Sequence, residues 1–134
     1  MELEFVVPGV PRTIQTKKSR TRNEWKERVR EAARKGWPDG RPPLTRELSA
    51  TVIHFYTRHT ELDVDGIGKL ILDALIGTAI EDDGLISQVL TRKSNQIGLL
   101  VSNPPLILAD TLGSIEDFVY VRLSDAPNHQ ELPP

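Results

Sequence analysis

The sequence predicts an α+β domain, and three observations carry that prediction. Two segments place apolar residues at helical spacing and end at a glycine, Gly36 and Gly77. Several others alternate polar and apolar residues or are rich in β-branched and aromatic side chains, as strands are. The chain has 134 residues, 38% of them hydrophobic, which suits one core rather than two.

The elements follow in order. Glu2 to Val7 alternates and reads as a half-buried first strand, ended by Pro8-Gly9-Val10-Pro11. Arg12 to Arg22 reads as a basic, polar connection. Thr21 or Asn23 then suits a helix N-cap, with Trp25, Val29 and Ala32 or Ala33 on one face and Pro38 confirming the stop after Gly36. Asp39 to Pro43 is a loop, and Ser49 to Arg58 is the clearest strand. A second helix is expected from about Asp65 to Ile76, with Ile67, Leu70, Ile71, Ala74 and Leu75 on one apolar face. Ser87–Lys93, Gln96–Val101 and Phe118–Leu123 complete the strands. Residues 1–124 are expected to form the single domain, and 125–134 a frayed tail.

Composition excludes several functions. With no cysteine, disulfide scaffolds, zinc-thiolate sites and thiol catalysis fall away. The N-terminus lacks the basic start and long apolar stretch of a signal peptide. The longest apolar run, near Ile97 to Leu108, is broken by Ser102, Asn103, Pro104 and Pro105. A soluble, cytoplasmic protein without a membrane partner is the expectation. A net charge of −2 and a pI near 5.9 speak against a nucleic-acid partner only as totals. Residues 12–46 hold twelve Lys or Arg against four acids, a net +8, and the remainder carries −10. Such asymmetry suits either a surface for a polyanion or a solvated basic helix face.

The stretch from Glu61 to Lys93 carries the chemistry. In extended chain, Asp63 and Asp65 point to the same side. Lys69 lies one helical turn beyond Asp65, and Asp73 one turn beyond Lys69. If the chain turns back at Gly77, an acid from Glu81-Asp82-Asp83 returns toward the first pair. Converging carboxylates are tolerated around a hard divalent cation such as magnesium or manganese, which suits phosphodiester hydrolysis. Lys69 would then orient the scissile phosphate. Simpler roles compete: acids in the first turn of a helix, an i,i+4 ion pair between Lys69 and Asp73, an acidic turn at Asp82-Asp83-Gly84. An EF-hand fails, because Ile67 and Ala74 would fall at ligating positions. His54, His59 and His129 are scattered without ligand spacing; only His59 lies near the acids, where a surface loop role suits it better. No glycine-rich phosphate loop precedes a helix.

The pattern Asp63-x-Asp65-x-x-x-Lys69-x-x-x-Asp73-Ala74-Leu75-x-Gly77, followed by Asp82-Asp83, resembles the signature of RusA-type Holliday junction resolvases. Pro8-Gly9-Val10-Pro11, with Gln15 and a basic run behind it, resembles the family's N-terminal region, and the likeness extends from about Leu3 to Lys93. It implies a small mixed β-sheet with two main helices, a homodimer, and magnesium- or manganese-dependent cleavage of four-way DNA junctions by paired symmetric nicks. Carried over by position, Asp63, Asp65 and Asp83 would bind metal with Asp82 beside them, and Lys69 would be the essential lysine. Lys93 falls where a basic residue often closes the next strand, and is expected at the DNA. The apolar surface of the second helix is a candidate for the dimer contact, since a two-fold substrate suits a two-fold protein. The family's asparagine after the second aspartate is Gly66 here, and Ser94–Asp117 is longer and more apolar than the family pattern. Arg12, Lys17, Lys18, Arg20 and Arg22 are expected to hold phosphates. The alternatives are a non-catalytic, structure-selective DNA-binding protein of the same fold and a metal-dependent hydrolase of a small phosphorylated molecule.

Overall fold

In the computed structural model, which describes residues 2–58 and 62–134, alternation at Leu3, Phe5 and Val7 produces strand β1 (Leu3–Pro8). Helix α1 follows (Ser19–Arg34), then β2 (Leu48–Tyr56), α2 (Val64–Leu75), a 3₁₀ turn (Asp83–Leu85), β3 (Ile86–Asn95), α3 (Leu106–Thr111) and β4 (Phe118–Asp125). The four strands form one sheet in the order β1-β4-β2-β3. β4 runs antiparallel to both β1 and β2, whereas β3 runs parallel to β2, so the sheet is mixed and β2-α2-β3 is a crossover unit.

One face of the sheet carries the main core. Leu3, Phe5, Val7, Leu48, Ala50, Val52, Val119, Val121 and Leu123 pack there against Trp25, Val29 and Ala33 of α1 and Ile67, Ile71, Ala74 and Leu75 of α2. Each large side chain so buried contributes roughly 1.5–3 kcal/mol. On the other face α3 brings Leu108 against Phe55, Phe118 and Tyr120, with the Phe55 and Phe118 rings stacked at 4.9 Å.

Three expectations are corrected, for the start of α1, for Gln96–Val101 and for the apolar surface of α2, while α2 itself falls within a residue of its expected span. Helix α1 starts at Ser19, inside the basic run, and its N-cap Lys18 makes no side-chain cap. Burial of Trp25, Val29 and Ala33, rather than a capping residue at Thr21 or Asn23, sets where the helix forms. The N-cap of α2 is Asp63, again without a side-chain cap, and Asp65 lies in the first turn. Gln96–Val101 is not a strand: Asn95 Oδ1 accepts from Ile97 N at 3.0 Å and Leu99 N bonds Gln96 O, closing β3 with a turn. The apolar residues of α2 are largely spent on the core, and the most exposed ones lie elsewhere, at Leu100, Leu132, Ile115, Leu106 and Ile97.

At the end of α2 the chain reverses through Gly77, whose φ of +85° suits glycine, and the amides of Thr78, Ala79 and Ile80 all bond Leu75 O. Asp125 closes β4 and pairs with Arg46 at 2.9 Å, and beyond it His129 lies 3.1 Å from Glu47.

Candidate active site

Where the parallel strands β2 and β3 end, the chain delivers its acids. Asp63 and Asp65, both exposed, line a concavity of about 260 Å³ together with Leu62, Gly66 and the Thr13-Ile14-Gln15 segment. That segment is held by its own hydroxyls. Thr13 N donates to Thr16 Oγ1 at 3.1 Å, Gln15 N to Thr13 Oγ1 at 3.2 Å, and Thr16 N to Thr13 O at 3.0 Å. Arg22 on α1 braces the turn by donating to Thr16 O. Lys93, half-buried on β3, donates to Leu62 O at 2.8 Å. Its ammonium is therefore engaged beneath the acids rather than presented outward.

Lys69 stands one turn along α2. Its ammonium lies 3.1 Å from Asp73 Oδ1 and 3.7 Å from Asp83 Oδ2. The hydrogen bond and charge of Asp73, with a smaller contribution from Asp83, raise its pKa above the ordinary lysine value. Lys69 is thus a fixed cation at neutral pH. The return of the chain through Glu81-Asp82-Asp83 brings Asp83 to Lys69, and Asp82, exposed, heads the 3₁₀ turn beside it. Among the described residues no group of three or more carboxylates or histidines is placed to hold one ion. The acids are arranged instead as Asp63 with Asp65 on the concavity, and Asp73 with Asp83 around Lys69. His59 and Glu61 lie outside the described residues.

The basic residues divide in the same way. Arg12, Lys17 and Lys18 flank the Thr13 turn, are exposed, and have no ion pair among the described residues. Arg20, which falls on α1 rather than in a loop, is paired with Glu24 at 3.0 Å. Arg22 is committed to Thr16.

Sequence reasoning missed the wall made by Thr13, although Thr-x-x-Thr at 13–16 is a local turn signal. It also missed His54 and Asp117. His54 is fully buried, with Nε2 3.1 Å from Asp117 Oδ2, and 63 residues of chain between the partners leave no local trace of the contact. Among the described residues no helix is long and apolar enough to cross a membrane. Residues 8–101, 94 of the 134, match a family model described as Endodeoxyribonuclease RusA. No curated protein matches the sequence.

Proposed function

Since the chain belongs to the RusA endodeoxyribonuclease family, which comprises Holliday junction resolvase nucleases that bind branched DNA, we propose that it resolves four-way junctions by paired symmetric nicks in DNA recombination and repair. One observation carries this reading to particular residues: the turn flanked by Arg12, Lys17 and Lys18 forms a wall of the concavity that holds Asp63 and Asp65. Phosphates drawn to the basic segment arrive beside the carboxylates.

Members of the family are generally divalent-metal dependent. Magnesium in phosphate-handling sites is held by one or two carboxylates, with water and phosphate oxygens in its remaining positions. Two exposed carboxylates on one concavity fit that requirement, so Asp63 and Asp65 would hold Mg²⁺ or Mn²⁺. When bound, the ion supplies Lewis-acid stabilisation and a water of lowered pKa. The chain's own residues do the rest. Lys69, kept protonated by Asp73 and Asp83, offers a fixed positive charge to the scissile phosphate and to charge developing on it. Asp83, with Asp82 beside it, holds and orients that lysine. Arg12, Lys17 and Lys18 bind flanking phosphates without reading bases. Arg20 and Arg22 serve the fold and the turn as well, and Lys93 anchors the backbone before Asp63.

Paired cuts require two such sites, and we place them in a homodimer. Ile97 and Ile115, both strongly exposed, line one concavity and offer an apolar surface that association would cover. A cytoplasmic location accompanies this reading.

The test is incubation with Mg²⁺ and either a synthetic four-way junction or a linear duplex of matching sequence, beside an Asp65→Asn variant. Symmetric nicks on the junction alone, reduced at least about a hundredfold in the variant, are the expected result. Tight junction binding without cleavage in Mg²⁺ or Mn²⁺ leaves a non-catalytic binder. Inertness toward DNA rejects both, and leaves a small phosphorylated substrate as the remaining class.

A further inference from the structure

Resting on the homodimer of the reading above, we propose that the free edge of β3 is the two-fold contact, pairing antiparallel with β3 of a second copy about Leu90. β3 closes one side of the sheet, and among the described residues no strand or loop pairs with its outer edge. It is 10 residues long and holds no proline. The irregularity in its register with β2 falls at Leu48/Ser49, opposite its first residues, so the rest of the edge is regular. Ser87, Gln88, Val89 and Leu90 are all exposed, and the apolar pair is 45% and 42% so.

Soluble proteins protect a free edge with short strands, proline, bulges or charge. The opposite edge has such protection: β1 is 6 residues long, ends in Pro8, and is covered there by Arg28 donating to Pro8 O. β3 has none over Ser87–Thr91, five residues without a charge. Lys93 is turned inward to Leu62 O, which leaves Arg92 as the charge on the edge.

Charge placement selects a second copy, and selects its direction. Arg92 and Lys93 lie in the last half of β3, whereas the exposed Glu81, Asp82 and Asp83 precede its first residue. Antiparallel pairing sets the basic half of each copy toward the acid-led half of the other. Parallel pairing would set like charges side by side. Side chains opposed across an antiparallel pair share a face of the sheet. With the axis at Leu90, that residue meets its own copy, Val89 meets Thr91, and Arg92 meets Gln88. An axis at Arg92 would oppose two guanidinium groups. Val89 and Thr91 lie on the α2 side, since both approach Gly68. The two-fold therefore runs perpendicular to one continuous sheet and leaves both α2 helices on the same face. Asp65 and Lys69 of the two copies then address DNA from one side, which suits paired cuts on one junction.

The experiment reads oligomeric state by sedimentation, with and without a four-way junction, and cross-linking at single cysteines in a chain that has none of its own. The unaltered chain is expected to be a dimer. Leu90→Cys should form a disulfide between copies, because residues opposed to themselves in an antiparallel pair have Cα atoms about 4.5–5.5 Å apart. Lys35→Cys, exposed at the end of α1, should not. Leu90→Lys, checked for folding by circular dichroism, opposes like charges across the axis and should raise the dimer dissociation constant by about tenfold or more. A monomer in both conditions overturns the proposal. So does a dimer that Leu90→Lys leaves intact, or one that does not cross-link at Leu90→Cys, including one that cross-links at Ile97→Cys or Ile115→Cys instead. A dimer linked through Leu90→Cys whose unaltered chain cleaves no DNA leaves the interface standing and rejects the nuclease reading.

Discussion

Gly66 stands where the resolvase signature that the sequence resembles carries asparagine, and its surroundings leave room for a Cβ. A Cβ built there would meet Thr13 Cγ2 at 3.6 Å and Thr13 Cβ at 3.7 Å, which is ordinary van der Waals contact. Glycine is among the poorest residues in a helix, and asparagine improves on it by about 0.3 kcal/mol. Gly66→Asn is therefore expected to fold normally and to melt about 1–2 °C higher, a shift read by thermal denaturation. The neighbouring Gly68 has less freedom, because its Cβ would come to 3.4 Å from Thr91 Oγ1 on β3. Lys69 illustrates what one-dimensional spacing conveys: its i,i+4 relation to Asp73 is legible from the sequence, and the ion pair forms at 3.1 Å. Its second partner, Asp83, depends on how the turn after Gly77 returns the chain.

Among the elements, β2 carries both the clearest sequence signal and the least anticipated chemistry. Its β-branched and aromatic residues announce a strand, but nothing local announces that His54 is buried at its end. Burial pushes the His54 pKa below 6.5, with the charge of Lys93 adding to the effect and Asp117 opposing it. Burial also raises Asp117, but the Thr57 amide and hydroxyl and His54 outweigh it, leaving that carboxyl below 3.8. Signs follow from linkage. Above pH 6.5 His54 is neutral both folded and unfolded; below it the unfolded chain takes up a proton that the folded chain resists, so stability falls with pH. The Asp117 contribution is complete above 3.8 and is lost as pH falls through its lower folded value. Urea unfolding at pH 7.5 and pH 5.5 should show a lower midpoint at pH 5.5, and His54→Gln should flatten that difference. The helices were more legible than the strands' ends: the α2 face repeats every three to four residues, whereas the apolar Gln96–Val101 has no period to separate strand from turn.

At the scale of the whole molecule, the net +8 of residues 12–46 overstates what DNA can meet. Arg20 faces Glu24, Arg30 and Arg34 face Glu27, Arg41 faces Glu2, and Arg46 faces both Glu2 and Asp125. Exposed pairs of this kind contribute little stability, but each occupies a cation locally. With Arg12, Lys17 and Lys18 as the unpaired cations beside the acids, the slope of log affinity against log salt should lie near −3 per protomer rather than near −7. A Lys17→Gln, Lys18→Gln double variant should reduce its magnitude by about 2, measured by fluorescence anisotropy on a labelled junction.

Periodicity and spacing alone determined the two principal helices, the strand segments, the Asp63/Asp65 pair and the Lys69–Asp73 pairing, because these depend on patterns within a few residues of chain. Only the tertiary structure decided that α1 begins within the basic run, that the Thr13 turn walls the acids, that Asp83 meets Lys69, and that Asp117 ties Gly9 to Thr57. Each of those contacts joins residues far apart in sequence, where packing of the sheet against its helices, and no local preference, selects the partner.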